Sequence, residues 1–330
     1  MGDSPHIDNA NRGFALVVVI IVLLMASFLA SQLIMQVRSE LAVSHNIKAR
    51  AVGHFLAEAG LSLGLFRLLD RPTAVPPLGV EEEWEGFYEG FEYAVLLPKG
   101  MATYYVVSES GKIDLNKSPQ ALVELFLKYQ LGEDKEEEVA TVMDSLLDWI
   151  DTDNDHHLNG AENDTYEELK DPYIARNGKI QDPAEFFLVN GTRPMIGKFY
   201  PDEVFTVYNP GGKINFSSLT PAMLDFLTGG DKEKAVAYRQ AKIEFKGQLT
   251  QGMAAEILGE QFVKFQPYLT YGASNNQYYM IIGTGYAGVE QVQSADEEEE
   301  KPKPPGTVDS MIIKKDVNGF TCLTWQERST

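Results

Sequence analysis

From Phe14 to Val37 the chain carries no charged residue, and FALVVVIIVLLMASFLASQLIM is apolar almost throughout. A helix of that length crosses a hydrocarbon core of about 30 Å, so one segment is committed to a membrane. A secretory signal would show a basic n-region, a shorter apolar core and a small-x-small cleavage site. The leader MGDSPHIDNANRG sets Asp3 and Asp8 against Arg12, and no A-x-A pattern follows the run. An ordinary signal peptide fits poorly.

The helical pattern outlasts the lipid. Val43, Ile47, Ala51, Phe55, Ala59 and Leu63 recur every four residues, and Phe66 and Leu69 extend the stripe towards Pro72. One helix over residues 14–69 would be about 80 Å long. Its first half faces lipid, and this stripe is expected to pack the second half on a soluble domain.

Beyond the helix, FEYAVLLP and MATYYVVSESGKIDLN alternate as two strands joined through Pro98-Lys99-Gly100. YYMIIGTGYAGVEQVQ and TVDSMIIKKDVNGFTCLTWQER predict three or four more strands, separated by the charged, Pro-rich stretch DEEEEKPKPPG at 296–306, which is expected to be a disordered loop. The middle, 117–265, reads mainly helical. The expected fold class is therefore α+β: a long N-terminal helix packed on an antiparallel sheet, with a large α-helical insertion. The divisions are a leader at 1–13, a transmembrane half at 14–37, a sheet domain at 38–116 resumed at 266–330, and the insertion at 117–265.

The insertion contains a repeat. GKIDLNKSPQALVELF (111–126) matches GGKINFSSLTPAMLDFL (211–227), and GEDKEEEVA (132–140) matches GGDKEKAVA (229–237). Both copies set a hydroxyl residue before proline at a helix start, Ser118-Pro119 and Thr220-Pro221, which predicts an N-cap followed by proline at the first helical position.

The balance of 28 Lys+Arg against 48 Asp+Glu gives a net charge of −20. Such a polyanion repels nucleic acid phosphates, and the repeat hairpins LGEDKEEE and LTGGDKEK carry little positive charge to offset that, so no nucleic-acid partner is expected. GTGYAG (283–288) satisfies G-x-G-x-x-G, but no long amphipathic helix follows it, and a hairpin turn is expected there. His156-His157 lacks a third His or a Cys at zinc-ligand spacing. No nucleophile, triad or phosphate loop stands out, so no catalytic residue is assigned and a non-enzyme is expected. Cys322, the one cysteine, permits no intramolecular disulfide.

One segment does carry chemistry. In LLDWIDTDNDHHLNGAENDTY, Asp151, Asp153, Asp155 and Glu162 occupy positions 1, 3, 5 and 12 of an EF-hand calcium loop, with the His157 carbonyl at position 7. The preceding helix is amphipathic through Val139, Val142, Met143, Leu146, Leu147 and Ile150. Position 6 is His156 rather than glycine, and no regular amphipathic helix follows before Pro172. The expectation is an EF-like loop binding calcium, since a hard cation relieves the repulsion of crowded carboxylates and oxygen ligands favour calcium over zinc. Asp148, Asn159 and Asp164 complete this site or form a second one.

Arg12-Gly13-Phe14 ahead of a single long helix resembles the start of type IV pilins. That resemblance implies cleavage between Gly13 and Phe14 by a prepilin peptidase, and methylation of the new N-terminus. Most members have Glu at the fifth mature position, which here is Val18. The order of SGKIDLN, LLDWIDTD with GAE and Tyr166, DPAEFFLVNG, INFSS and the C-terminal Trp325-Gln326-Glu327-Arg328 resembles the K-type minor pseudopilins of bacterial type II secretion systems, a group known for lacking that glutamate. The resemblance implies a pilin-like sheet, two helix-hairpin-helix (SAM-like) modules in the insertion, and a single-pass anchor in the bacterial inner membrane with the soluble domain in the periplasm. It also implies a role at the pseudopilus tip in protein export, with I-type and J-type minor pseudopilins as partners. A tip minor pilin of a type IV pilus or competence system, and a membrane-tethered DNA-binding protein, are the other classes open to such a sequence.

Overall fold

The computed structural model describes residues 10–70, 86–289, 306–317 and 319–328. Of the leader at 1–13 only Ala10 to Gly13, and of the acidic stretch expected to be a disordered loop at 296–306 only Gly306, lie within the described residues. Helix α1 runs from Ala10 to Asp70 without interruption, roughly 90 Å at 1.5 Å per residue. Its Leu16–Leu69 portion is the one candidate membrane span among the described residues, and the large apolar residues from Leu16 to Val37 are exposed.

The lower half of α1 lies across an antiparallel sheet of β1 (Glu92–Leu97), β2 (Gly100–Ser108), β7 (Tyr278–Ala287), β8 (Thr307–Asp316) and β9 (Gly319–Arg328), in that spatial order. Alternation puts Tyr93, Tyr104, Val106, Tyr279, Ile281 and Ile313 beneath the helix, packed against Leu61 and Leu68. Val107, Met280 and Ile312 face the opposite side.

The face of α1 that meets the sheet is not the expected stripe. Val43, Ile47, Phe55 and Phe66 are exposed, whereas Gly53, Leu56, Ala57, Gly60, Leu61 and Gly64 are buried. The reason is distance. A Cβ on Gly283 would collide with the Ala57 carbonyl, one on Gly60 with the Thr103 carbonyl, and one on Gly64 would stand 2.8 Å from Ile281 Cγ2. Small residues let helix and sheet approach backbone to backbone, and Val43, Ile47, Phe55 and Phe66 of the expected stripe are left facing outward. The same contact corrects the reading of GTGYAG as a hairpin turn: Gly283 and Gly285 lie inside β7, where the absence of side chains admits the helix.

Everything between β2 and β7 forms the inserted body. In order it contains β3 (Ile113–Asp114), α2 (Gln120–Leu131), α3 (Glu136–Ile150), α4 (Asn163–Glu167), α5 (Pro201–Val204), β4 (Phe205–Thr206), β5 (Ile214–Asn215), α6 (Pro221–Thr228), α7 (Lys232–Glu244), α8 (Gln251–Leu258), α9 (Gln261–Phe265) and β6 (Leu269–Thr270). Two short parallel pairs, β3 with β4 and β5 with β6, tie each repeat copy to a later segment. One apolar core runs through both copies, with Phe126 edge-on to Phe199, Phe205 and Phe226. Where the body leaves β2, the buried Lys112 pairs with Glu109, which also accepts from Thr206 Oγ1.

The two helix starts differ. Thr220 caps α6 through Met223 N–H (3.2 Å) with Pro221 first in the helix. Ser118 does not cap α2, whose N-cap is Pro119. Its hydroxyl instead accepts from Asp114 N–H (2.9 Å) and donates to the Gly212 carbonyl (2.9 Å), joining the start of one copy to the start of the other.

Candidate metal centre

The acidic loop leaves the C-terminal end of α3. Val139, Val142, Leu146 and Trp149 anchor that helix in the core, and the same buried face includes Ser145 and Asp148. Burying Asp148 completely is the sharpest polar commitment of the segment. Its Oδ1 accepts from His157 N–H (3.0 Å) and pairs with His157 Nδ1, folding the loop back over the helix end. Oδ2 has no hydrogen-bond partner and faces Gly160, where a Cβ would collide with it. The Gly160 of the GAE sequence is thus the residue that lets the loop close on a buried carboxylate.

Asp151 follows the last turn of α3, and Glu162 is the N-cap of the five-residue α4. Between them the loop brings together two groups of ligand atoms, each within 4.8 Å of one another: Asp151, Asp153 and Glu162 in one, Asp148, Asp151 and His157 in the other. Asp151 belongs to both. Glu162 is 2% exposed, and neither of its carboxylate oxygens has a hydrogen-bond partner; Asp151 Oδ1 is likewise buried and unpartnered.

Burial raises the Asp151 carboxyl above its ordinary range, and the nearby charges of Asp153 and Asp148 add to it. Burial raises Glu162 too, followed by the charges of Asp148 and Asp151. The hydrogen bond that the His157 ring donates to the Asp148 carboxylate raises the His157 pKa. Buried carboxylate oxygens normally find donors, since leaving one without costs more than an ordinary hydrogen bond returns. Oxygens aimed together without donors fit a hard divalent cation.

The other expected ligands are placed differently. Asp155 is in neither group; it is exposed, and its N–H donates to Asp153 Oδ1 (3.0 Å). The His157 carbonyl accepts from Gly160 N–H (3.0 Å). Asn159 donates from both its backbone and its side chain to Asp144 (3.0 Å each), fastening the loop to α3. Asp164 contacts His156 Nε2 (3.0 Å) and accepts from Thr165 N–H (2.7 Å), a bond that lowers its pKa.

Sequence reasoning missed Asn177. This residue sits at φ +46°, donates to the Asp153 carbonyl and to Asn154 Oδ1 (2.9 Å each), and leaves its own Oδ1 buried without a partner. Reciprocal bonds between Asn116 and the Ile180 backbone (2.9 Å each) hold its segment in place. The Asn177-Gly178 dipeptide after Pro172 was the available signal, a turn sequence whose asparagine tolerates the left-handed region. Behind the loop, Trp149 stands edge-on to Tyr166, whose hydroxyl accepts from Asn190 N–H (3.1 Å), so the downstream motif containing DPAEFFLVNG buttresses the site.

Comparison with known proteins gives this arrangement a context. Residues 106–198 match the family model described as Type II secretion system (T2SS), protein K. That span starts in β2 and takes in α2, α3, the acidic loop, α4 and the DPAEFFLVNG segment, so the candidate centre lies within the matched residues. No curated protein matches the chain. Among solved structures it is similar to a chain in the crystal structure of the GspK-GspI-GspJ complex from the enterotoxigenic Escherichia coli Type 2 Secretion System, at 16% identity and a TM-score of 0.46, over 89% of this chain and 100% of that one.

Proposed function

We infer that the chain is a K-type minor pseudopilin of a type II secretion system. The observation that carries this reading is the protein K match across residues 106–198, joined in one chain to a long apolar N-terminal helix. The family is a structural component of secretion, and assembly rather than catalysis is the role assigned here.

In this reading Phe14–Val37 anchors the protein in the inner membrane and the sheet and inserted body stand in the periplasm. A prepilin peptidase cuts between Gly13 and Phe14, and the new N-terminus is methylated. The inserted body occupies the space in which a further subunit would stack, so the protein caps the tip of the filament. Its partners are the I-type and J-type minor pseudopilins, named together with GspK in the similar complex. Calcium would be held by Asp151, Asp153 and Glu162, with Asp148 and His157 beside them. The ion supplies positive charge that offsets the crowded carboxylates and holds the loop closed.

The test is to co-express the full chain with its candidate I-type and J-type partners and purify through a tag on one of them. A stable assembly of all three is expected, together with loss of type II export when the chain is deleted from its host. Failure to co-purify, with export unaffected by the deletion, would overturn the reading.

A further inference from the structure

The sheet face turned away from α1 does not pack flush against the inserted body. Between them lies a cavity of about 610 Å³, floored by β2 and β7 and roofed by α6 and α7. Its size falls within the range of small-molecule sites, roughly 300–1,000 Å³. Phe91, Val107, Leu224, Met280 and Ile282 make much of the wall apolar.

The wall also holds a charge that needs explaining. Lys242 of α7 is 3% exposed. Among the described residues its Nζ reaches two carbonyls, Glu89 at 3.4 Å and Gly90 at 3.5 Å, and lies 5.2 Å above the Phe91 ring and 5.8 Å from that of Tyr238. Among the described residues no carboxylate forms an ion pair with it. Gly90 keeps this space open, since a Cβ there would collide with Nζ. Lysine is almost never fully buried without a partner, because the desolvated ammonium is costly. Burial accordingly lowers the Lys242 pKa to about 8, against a smaller opposing effect of Glu89. Glu92 and Glu203 also line the cavity, but both are only half buried and Arg239 at the rim is exposed. The fully buried charge is the one a ligand must match.

We propose that this cavity binds a small carboxylate carrying an apolar chain, with the carboxylate against the Lys242 ammonium and the chain along Phe91, Leu224 and Ile282. A free acid and the C-terminal residue of an apolar peptide share that chemistry. Either would bridge the sheet to the inserted body, because β2 and β7 supply one wall and α6 and α7 the other.

The experiment uses the full chain in neutral phosphatidylcholine nanodiscs and measures acetylation of Lys242 by peptide mass mapping, with the exposed Lys232 on the same helix as reference. Saturating 4-phenylbutyrate is expected to slow Lys242 labelling roughly tenfold, an occupancy reached well above the dissociation constant, and to leave Lys232 unchanged. The alcohol and amine counterparts, 4-phenylbutan-1-ol and 4-phenylbutylamine, should not protect. Acetyl-Leu-Phe as the free acid and as the amide separates the sources: protection by the peptide acid identifies a chain terminus as a ligand, and protection by phenylbutyrate alone a free acid. Lys242→Met should abolish the saturable heat of phenylbutyrate binding while retaining a cooperative melting transition. Equal protection by the alcohol, or none by either acid at millimolar concentration, overturns the proposal whether or not the variant folds.

Discussion

Gly53 of α1 lies so close over Gly285 of β7 that a side-chain carbon on Gly285 would collide with the Gly53 carbonyl oxygen. Neither backbone can retreat easily. Gly53 sits in a continuous helix, and Gly285 is paired with Ala102 on one side and Thr307 on the other. Gly285→Ala should therefore destabilise the soluble part by about 1–3 kcal/mol or more, the usual cost of overpacking a close contact. A urea midpoint followed by pulse proteolysis of the membrane-embedded chain measures it. A midpoint within error of the parent would show that helix and sheet can separate without loss.

The same contact shows what periodicity could and could not disclose. The helix, its length, the flanking strands and the helical middle follow from apolar runs and alternation, signals that depend on residue type alone. Which face of α1 meets the sheet does not. The apolar stripe through Val43, Phe55 and Phe66 is the stronger hydrophobic signal, yet Gly53, Ala57, Gly60 and Gly64 decide the contact because close approach selects for lack of volume. At the candidate site, Asp151, Asp153 and Glu162 were legible from EF-hand spacing. Asp148 is an additional ligand candidate by its nearness in sequence, but its role in pinning His157 depends on the fold. Asn177 arrives from a segment beyond the loop, and no local pattern links it to Asp153.

The leader makes a simple prediction. With an active prepilin peptidase the mature protein should begin at Phe14, and intact mass or N-terminal sequencing of membrane-extracted protein checks this. Retention of residues 1–13 in such cells, or a soluble form cut after Ala26, would refute it.

Position in the filament can be tested independently. Val18 stands where the resemblance to type IV pilins leads one to expect glutamate, and an uncompensated carboxylate in lipid is costly enough that its absence alters how a subunit is received. Together with the bulk of the body inserted between β2 and β7, this predicts few copies per filament, all at one end. Gold labelling of sheared filaments should mark single tips. Label along the shaft would defeat the prediction.

Lys242 sets a pH dependence whose sign can be worked out. Its folded pKa is about 8, below the ordinary lysine value of 10.5. Between those values the unfolded chain binds more protons, so stability rises with pH from about 8 and levels off near 10.5. Glu89 just before β1, Glu92 of β1, Tyr105 of β2, Glu203 of α5 and Tyr238 and Arg239 of α7 surround the group. Burial raises Tyr105 and Tyr238 above the ordinary tyrosine value, so neither ionises in that window, and burial raises Glu203 as well. The urea midpoint of the parent should increase between pH 7.5 and 9.5, while Lys242→Met should remove most of that increase. An equal slope in both proteins would assign the effect elsewhere.

The acidic loop gives the most exacting prediction, because two opposite effects must appear in one variant. In the parent, EDTA should lower the melting temperature and calcium should restore it, since a ligand bound only by the folded state stabilises by mass action. Glu162 is almost fully buried with neither oxygen partnered, and it repels Asp148 and Asp151. Glu162→Gln removes that repulsion at nearly constant volume. In EDTA the variant should therefore melt at or above the parent, by up to about 1 kcal/mol of added stability. With calcium the order should reverse, because one charged ligand is gone and the calcium-dependent rise shrinks. Calorimetry should show the affinity falling by roughly tenfold or more, equivalent to about 1.4 kcal/mol. Asp155→Asn supplies the contrast: Asp155 is exposed and outside both ligand groups, so its loss should change the calcium response little. If EDTA leaves the parent's melting temperature unchanged and no calcium uptake is seen up to millimolar concentration, the loop is a solvated acidic turn. If Asp155→Asn costs as much affinity as Glu162→Gln, the ion is held by the EF-hand spacing rather than by the buried group that the fold assembles.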